Sequence, residues 1–462
     1  MFRRVLVANR GEIAARIMRT CRRLGVETVA VYSDADQTAP HVKMADRAVR
    51  IGPSPVKDSY LNRDALVASI RETGADAVHP GYGLLSESSA FALAVAEAGA
   101  IFIGPPPAAL DAFGDKIKAR GVAVSVGVAP PHGTGVLDPN DAASLKSAAE
   151  SIGLPVLVKA AGGGGGIGMQ IVRDVSDLDR AARACSDRGK QAFADPRVYM
   201  EKYLESPRHI EVQVLCDAFG GAAAVGEREC SVQRRHQKII EETPSPAIFF
   251  EGSSGMERRA RLFEDALRVV RAAGYVGAGT VEFVADSTGA LYFLEVNARL
   301  QVEHPVTELV TGLDLVEVQL RVAGGERLAE PVTNAAPSGH AIEARVYAED
   351  PSKGFIPQPG RVEKLVWPTG HTGVRIDAGI EEGGEVTPFY DPLIAKVCAH
   401  GSDRSQAIER LAGALAATEL SLVGPKGPRT TNLQYLRAVL TDARFRRGAY
   451  DTSLADAVAK AQ

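Results

Sequence analysis

Apolar and polar positions alternate along the first quarter of the chain in a way that predicts short strands and amphipathic helices by turns. Residues 5–8 (Val5, Leu6, Val7, Ala8) are a short apolar run that reads as a strand. Ile13, Ile17, Cys21 and Leu24 then recur at helical spacing, which puts one apolar stripe on the face that packs inward. Gly25 closes that helix, and the β-branched stretch 28–32 reads as the next strand. Ala77-Val78 and Ile101-Phe102-Ile103 are further strands, running into His79-Pro80-Gly81 and Gly104-Pro105-Pro106. This order predicts a Rossmann-like parallel sheet over residues 1–115, with ligands expected at the strand exits. The first turn, Asn9-Arg10-Gly11-Glu12, lacks the G-x-G-x-x-G spacing and argues against a dinucleotide site there.

Further along, residues 121–138 are rich in Gly, Pro and Val and read as a boundary. Strands are predicted at 156–158 and 169–172, on either side of a glycine run, followed by helices. Residues 205–325 mix strands and helices. Ala335-Ala336-Pro337-Ser338-Gly339 reads as a linker, and beyond it strand-like pieces at 341–346 and 360–366 precede later helices. The fold class expected is α/β, mixed with α+β features, in three units: 1–115, 116–325 with a glycine-rich lid at about 131–204, and 335–445.

Composition narrows the function. With 45% hydrophobic and 24% charged residues, the 462-residue chain has the profile of a globular protein with large cores. The net charge of −4, without any block of Lys and Arg, argues against nucleic acid as a partner. No apolar run approaches the roughly 20 residues that span a bilayer. Residues 1–10 lack the long apolar core of a signal peptide, so the cytoplasm is the expected location, with no membrane partner. The five cysteines are scattered without a C-x-x-C pair, which speaks against a disulfide framework or a zinc site.

Candidate chemistry begins at residues 280–297, where two alternating runs flank Asp286-Ser287-Thr288-Gly289 and predict a β-hairpin. Glu282 then lies opposite Glu295, or one step diagonal to it. Like charges facing each other destabilise a sheet unless a cation lies between them, and a small set of oxygen ligands suits Mg²⁺ shared with substrate phosphates. Asn297 has the same strand parity and can add an oxygen. Glu295, Asn297, Arg299, Gln301 and Glu303 are all two apart, so an extended chain would point all five the same way. A solvated polar face is the plain alternative, but the row follows an apolar hairpin and runs into His304-Pro305.

Lys159 precedes the glycine run 162–166, whose backbone N–H groups are free to approach phosphate oxygens. A strand is predicted after it, where a P-loop would need a helix, so a flap over a nucleotide fits better than a Walker loop. Residues 233–238 gather Arg234, Arg235, His236 and Lys238, which suggests a phosphate or carboxylate site, with a solvated basic turn as the plain alternative. Lys116 and the run Glu201-Lys202-Tyr203-Leu204 are unremarkable in isolation, and no metal-ligand spacing connects His209 with His236.

Together these residues resemble an ATP-grasp enzyme. More narrowly, His79-Pro80-Gly81-Tyr82-Gly83, the runs 227–238, 295–308 and 339–345, and Phe389 to Lys396 are similar to biotin carboxylases. The resemblance runs from Val5 to about Leu440. It implies that Lys116, Lys159, the flap glycines Gly164, Gly165 and Gly166, His209 and Gln233 hold ATP, with Glu201, Lys202, Tyr203 and Leu204 as the hinge reading adenine and His236 nearby. Glu282, Glu295 and Asn297 would bind Mg²⁺ or Mn²⁺. Bicarbonate would sit against Lys238, Arg299, Gln301 and the backbone of Val302. Glu303 would be the general base, Arg345 would stabilise the biotin enolate, and Tyr82 would help to seat biotin. Ile167 and Gln170 stand where such flaps usually carry basic residues.

The resemblance also implies partners. No Met-Lys-Met biotinylation sequence occurs, so biotin is expected on a separate carrier protein, with a carboxyltransferase subunit completing an acetyl-CoA, other acyl-CoA or pyruvate carboxylase. A homodimer is expected. The competing readings are another ATP-grasp carboxylate or bicarbonate ligase, which would not need Arg345 or Tyr82, and an inactive assembly subunit, which should have lost Glu303, Arg299 or Lys238. A nicotinamide dehydrogenase is disfavoured by the missing strand–glycine loop–helix pattern.

Overall fold

The computed structural model describes residues 1–162, 168–235 and 237–461. The early apolar runs form a five-stranded, all-parallel sheet in the order Arg47–Gly52, Glu27–Ser33, Arg4–Val7, Ala77–His79, Ile101–Phe102. Its central strands are apolar on both faces, because helices cover both sides of a parallel sheet. The helix Gly11–Arg23 buries Ile13, Ile17 and Cys21 as its spacing predicts. At the strand exits, the Asn9 amide donates to the carbonyls of Pro80 (2.7 Å) and Tyr82 (2.8 Å), fastening two turns together. Gly81 is needed there: it has φ +63°, and an added Cβ would lie 2.8 Å from the Asn9 amide nitrogen.

Residues 126–141 hold no helix or strand and overlap the segment whose composition suggests a boundary. A helix, Lys116–Ser125, runs through Gly121 and only then gives way to loop. The Asp115 carboxylate caps it by accepting from the N–H groups of Ile117 and Lys118, and Ala119 and Ala123 bury its inner face. Capping and burial outweigh the cost of one glycine.

The strands flanking the glycine run pair antiparallel, Val156 opposite Val172 and Lys159 opposite Met169, and Val198–Lys202 completes a three-stranded sheet. The helices Ala142–Ile152 and Leu178–Phe193 pack on the face that carries Val156, Val158, Val198 and Met200. Strand alternation therefore turns Lys159 and Glu201 to the opposite face.

Central and C-terminal parts share one antiparallel sheet of eight strands. Its order is Leu291–Asn297, Gly277–Ala285, Arg208–Cys216, Ala222–Arg234, Gln237–Thr243, His340–Tyr347, Leu393–Gly401, Val374–Ala378. Residues 335–338 are irregular, as their composition predicts, but the strand after them pairs directly with Gln237–Thr243 (Ile240 opposite Ala344). That pairing satisfies a backbone edge which would otherwise be exposed. Among the described residues no helix is long and apolar enough to cross a membrane.

Candidate active site

The hairpin places Glu282 directly opposite Glu295 and Thr280 opposite Asn297, with an irregularity just after Glu282. One Glu282 oxygen accepts from Lys238 Nζ (2.7 Å) and from the Gln301 amide (3.2 Å), and the other lies 2.9 Å from His209 Nε2. Burial alone would raise this carboxyl, but Lys238 and His209 outweigh it and hold it well below the ordinary value. Glu295 is half-open, its nearest cation being Lys116 at 3.9 Å. Two cross-strand carboxylates with an amide beside them offer hard oxygen ligands, a donor set that fits Mg²⁺ or Mn²⁺.

The row from Glu295 to Glu303 converges by a different route from the one its spacing predicts. The strand ends at Asn297, and residues 298–303 turn into the helix His304–Thr311. Hydrogen bonds do what extended geometry would have done. Arg299 donates to Asn297 (2.9 Å), to Gln301 (2.7 Å) and to Glu87 (2.9 Å), while Gln301 reaches Glu282.

Glu303 lies fully buried beneath this loop. One of its oxygens accepts from Lys238 (2.7 Å) and the other from Arg345 (2.9 Å). Burial would raise its carboxyl, yet Lys238, Arg345 and Arg228 hold it far below the ordinary range, so it is an anion at neutral pH. Arg345 also lies 2.6 Å from Glu241, whose carboxyl burial pushes up to about 7.

Two further residues of this network escape the sequence reading. Glu211 accepts from Lys238 (2.5 Å) and from the buried Arg228, and Glu87 anchors Arg299 from the turn before the helix Ser89–Glu97. Glu211 shares strand parity with His209, a signal that could have found it. Glu87 follows the Tyr82 turn by five residues, and sequence alone gives no reason for it to meet Arg299.

At the other end, Lys159 donates to Glu201 (2.8 Å), which Arg120 also engages (2.8 Å). Gln233 contacts His209 Nδ1 at 2.6 Å. The Lys202 ammonium instead holds the carbonyls of Gly153 (2.8 Å) and Leu154 (3.1 Å), and Tyr82 donates its hydroxyl to Glu12. A cleft of about 1490 Å³ joins the two ends. All the predicted site residues that are described line it, Glu303 excepted, which lies just below. Gly164, Gly165, Gly166, Ile167 and His236 fall outside the described residues.

This arrangement, a cation-rich end with a carboxylate-rich centre beside it, has the charge layout that an ATP-dependent ligase needs. Family models match in three stretches: biotin carboxylase, N-terminal domain, over residues 1–110; carbamoyl-phosphate synthase L chain, ATP binding domain, over 115–331; and biotin carboxylase C-terminal domain over 343–457. The biotin carboxylase of Halalkalibacterium halodurans is 44% identical, with 98% of this chain and 97% of that one covered. The human mitochondrial propionyl-CoA carboxylase alpha chain is 46% identical over 98% of this chain, which spans 60% of the human protein's length. Among solved structures, the Campylobacter jejuni biotin carboxylase in complex with βγ-ATP superimposes with a TM-score of 0.93 at 40% identity, covering 99% of each chain. The Hydrogenobacter thermophilus 2-oxoglutarate carboxylase biotin carboxylase domain dimer, bound to MgADP, ADP and bicarbonate, gives 0.92 at 41%, covering 99% of this chain and 98% of that one. The chain belongs to the biotin carboxylase family. It is an ATP-dependent carboxylase, a ligase.

Proposed function

We propose that the protein carboxylates biotin held on a separate carrier protein, using ATP and bicarbonate, as the first half-reaction of an acyl-CoA, pyruvate or related carboxylase. The observation that supports this reading best is Glu303, ionised and clasped between Lys238 and Arg345 at the floor of the cleft. Lys116 and Lys159 face the phosphate end, Tyr203 and Leu204 line the wall assigned to adenine, and Lys238, Arg299 and Gln301 surround the position assigned to bicarbonate. Glu282, Glu295 and Asn297 would hold Mg²⁺ or Mn²⁺, which when bound neutralises phosphate charge.

Glu303 accepts the bicarbonate proton as a bicarbonate oxygen attacks the γ-phosphorus and the bond to ADP breaks, giving carboxyphosphate. Lysine and arginine charge fixed around the transferring group stabilises it without reorganisation. Carboxyphosphate then splits its C–O bond into CO₂ and phosphate. Phosphate takes the ureido N–H proton of biotin, Arg345 balances the charge on the ureido oxygen, and the nitrogen bonds to CO₂. The units 1–115, 116–325 and 335–445, a homodimer, a carrier protein and a carboxyltransferase partner belong to the same proposal. The test is ADP release that requires bicarbonate and rises with free biotin. Wild type without biotin stimulation would favour another bicarbonate ligase.

A further inference from the structure

Lys396 ends the run Phe389 to Lys396, and nothing in the mechanism above uses it. Its side chain is completely buried, in the strand Leu393–Gly401 between Arg345 on one neighbouring strand and Asp377 on the other. A buried ammonium is costly unless its hydrogen bonds are spent on fixed acceptors. Lys396 spends them on two elements from other parts of the chain. Nζ donates to the carbonyl oxygen of Val302 at 2.8 Å, and it lies 3.1 Å from Glu12 Oε1 at the start of the helix Gly11–Arg23. The same Glu12 oxygen accepts the hydroxyl of Tyr82, and Nζ lies 6.0 Å from the centre of the Tyr82 ring. Among the described residues, the second Glu12 oxygen has no hydrogen-bond partner and Lys396 is the only cation bonded to this carboxylate.

The two acceptors differ in what they position. Val302 lies between Gln301 and Glu303 in the irregular turn that replaces an extended strand, and no ladder of backbone bonds fixes that turn. A cation on the Val302 carbonyl sets the plane of the Val302–Glu303 peptide and hence the approach of the Glu303 carboxylate. The Glu12–Tyr82 arm fixes a phenol ring at the wall assigned to biotin.

We propose that Lys396 is a positioning residue for both half-sites: one buried ammonium holds the bicarbonate turn through the Val302 carbonyl and the biotin wall through Glu12 and Tyr82. This rests on the proposed function above. Its consequence is a division of labour: loss of the lysine disturbs bicarbonate and biotin together, loss of the Glu12 arm disturbs biotin alone, and ATP binding is spared in both.

The experiment measures KM for ATP, bicarbonate and biotin, with thermal unfolding as a check on folding, for wild type, Lys396→Met, Lys396→Arg and Glu12→Gln. Lys396→Met is expected to raise the bicarbonate and biotin KM about tenfold each with ATP KM within about twofold, and Lys396→Arg to recover part of the loss. Glu12→Gln is expected to raise the biotin KM several-fold and leave bicarbonate unchanged. Equal changes in all three KM values, or none, would overturn the proposal. Should Lys396→Met fail to fold, Glu12→Gln decides alone: a biotin KM that stays put, or that moves together with bicarbonate, overturns it. Wild type without bicarbonate-dependent ADP release would instead sink the proposed function and leave the variants without meaning.

Discussion

Two lysine–carboxylate centres face the same cleft with opposite charge ratios. At the end assigned to phosphate in the proposed function, Glu201 is shared by two cations, Lys159 and Arg120. At the chemical centre, Lys238 is shared by three carboxylates, Glu211, Glu282 and Glu303. The first centre is cationic in surplus, which suits a polyphosphate. The second gathers three carboxylates on one lysine, which suits a divalent cation, while Lys238, Arg345 and Arg228 keep Glu303 ionised. In the proposed function, charge ratio rather than residue type would sort the ligands along the cleft.

The comparison is broken most severely at Lys238. Lys238→Met leaves three buried carboxylates short of a cation, and a loss of about 3–5 kcal/mol of stability is expected, measured by urea unfolding. Bicarbonate-dependent ADP release should vanish with it. Removing charge at the other centre acts on binding instead. Lys159→Met should raise the ATP KM about 10–100-fold, read from steady-state kinetics, because the phosphate contact proposed for this lysine is lost.

A third cation-rich carboxylate lies away from the cleft and serves as a control. Glu242 accepts from Arg404 (2.7 and 2.9 Å) and His340 (2.6 Å) and from the Tyr450 hydroxyl. Burial would raise its carboxyl, but Arg404 and His340 prevail and lower it to about 2. A depressed carboxyl contributes stability above its unfolded value near 4.5, and that contribution disappears as pH falls from there toward 2. Glu242→Gln should therefore be less stable at pH 6, flatten the acid limb of unfolding between those values and leave the ATP KM unchanged. Lys202→Met is the mildest change. It frees the carbonyls of Gly153 and Leu154, and about 1 kcal/mol of stability should be lost with less than about threefold change in ATP KM.

Much of this was legible beforehand where a short-range period carries the information. Strand alternation puts Glu282 opposite Glu295 or one step diagonal to it, and helical spacing puts Ile13, Ile17 and Cys21 inward. The loop 298–303 reached the predicted convergence by hydrogen bonds to Glu87, Gln301 and Glu282, which no period encodes. Glu211 and Glu87 act through partners 27 and 212 positions away, Lys238 and Arg299, and such pairs become visible only when the sheets assemble. The shared eight-stranded sheet was hidden for the same reason. A linker composition marks a break in regular structure and says nothing of which strand the next segment will join.

The most direct test of the account is ADP release by wild type and Glu303→Gln, with and without bicarbonate, across a range of free biotin. Release should need bicarbonate, rise with biotin and fall at least about 100-fold in Glu303→Gln, as expected for loss of a general base, while ATP still binds. Biotin-stimulated release that survives in Glu303→Gln would contradict the assignment of the base.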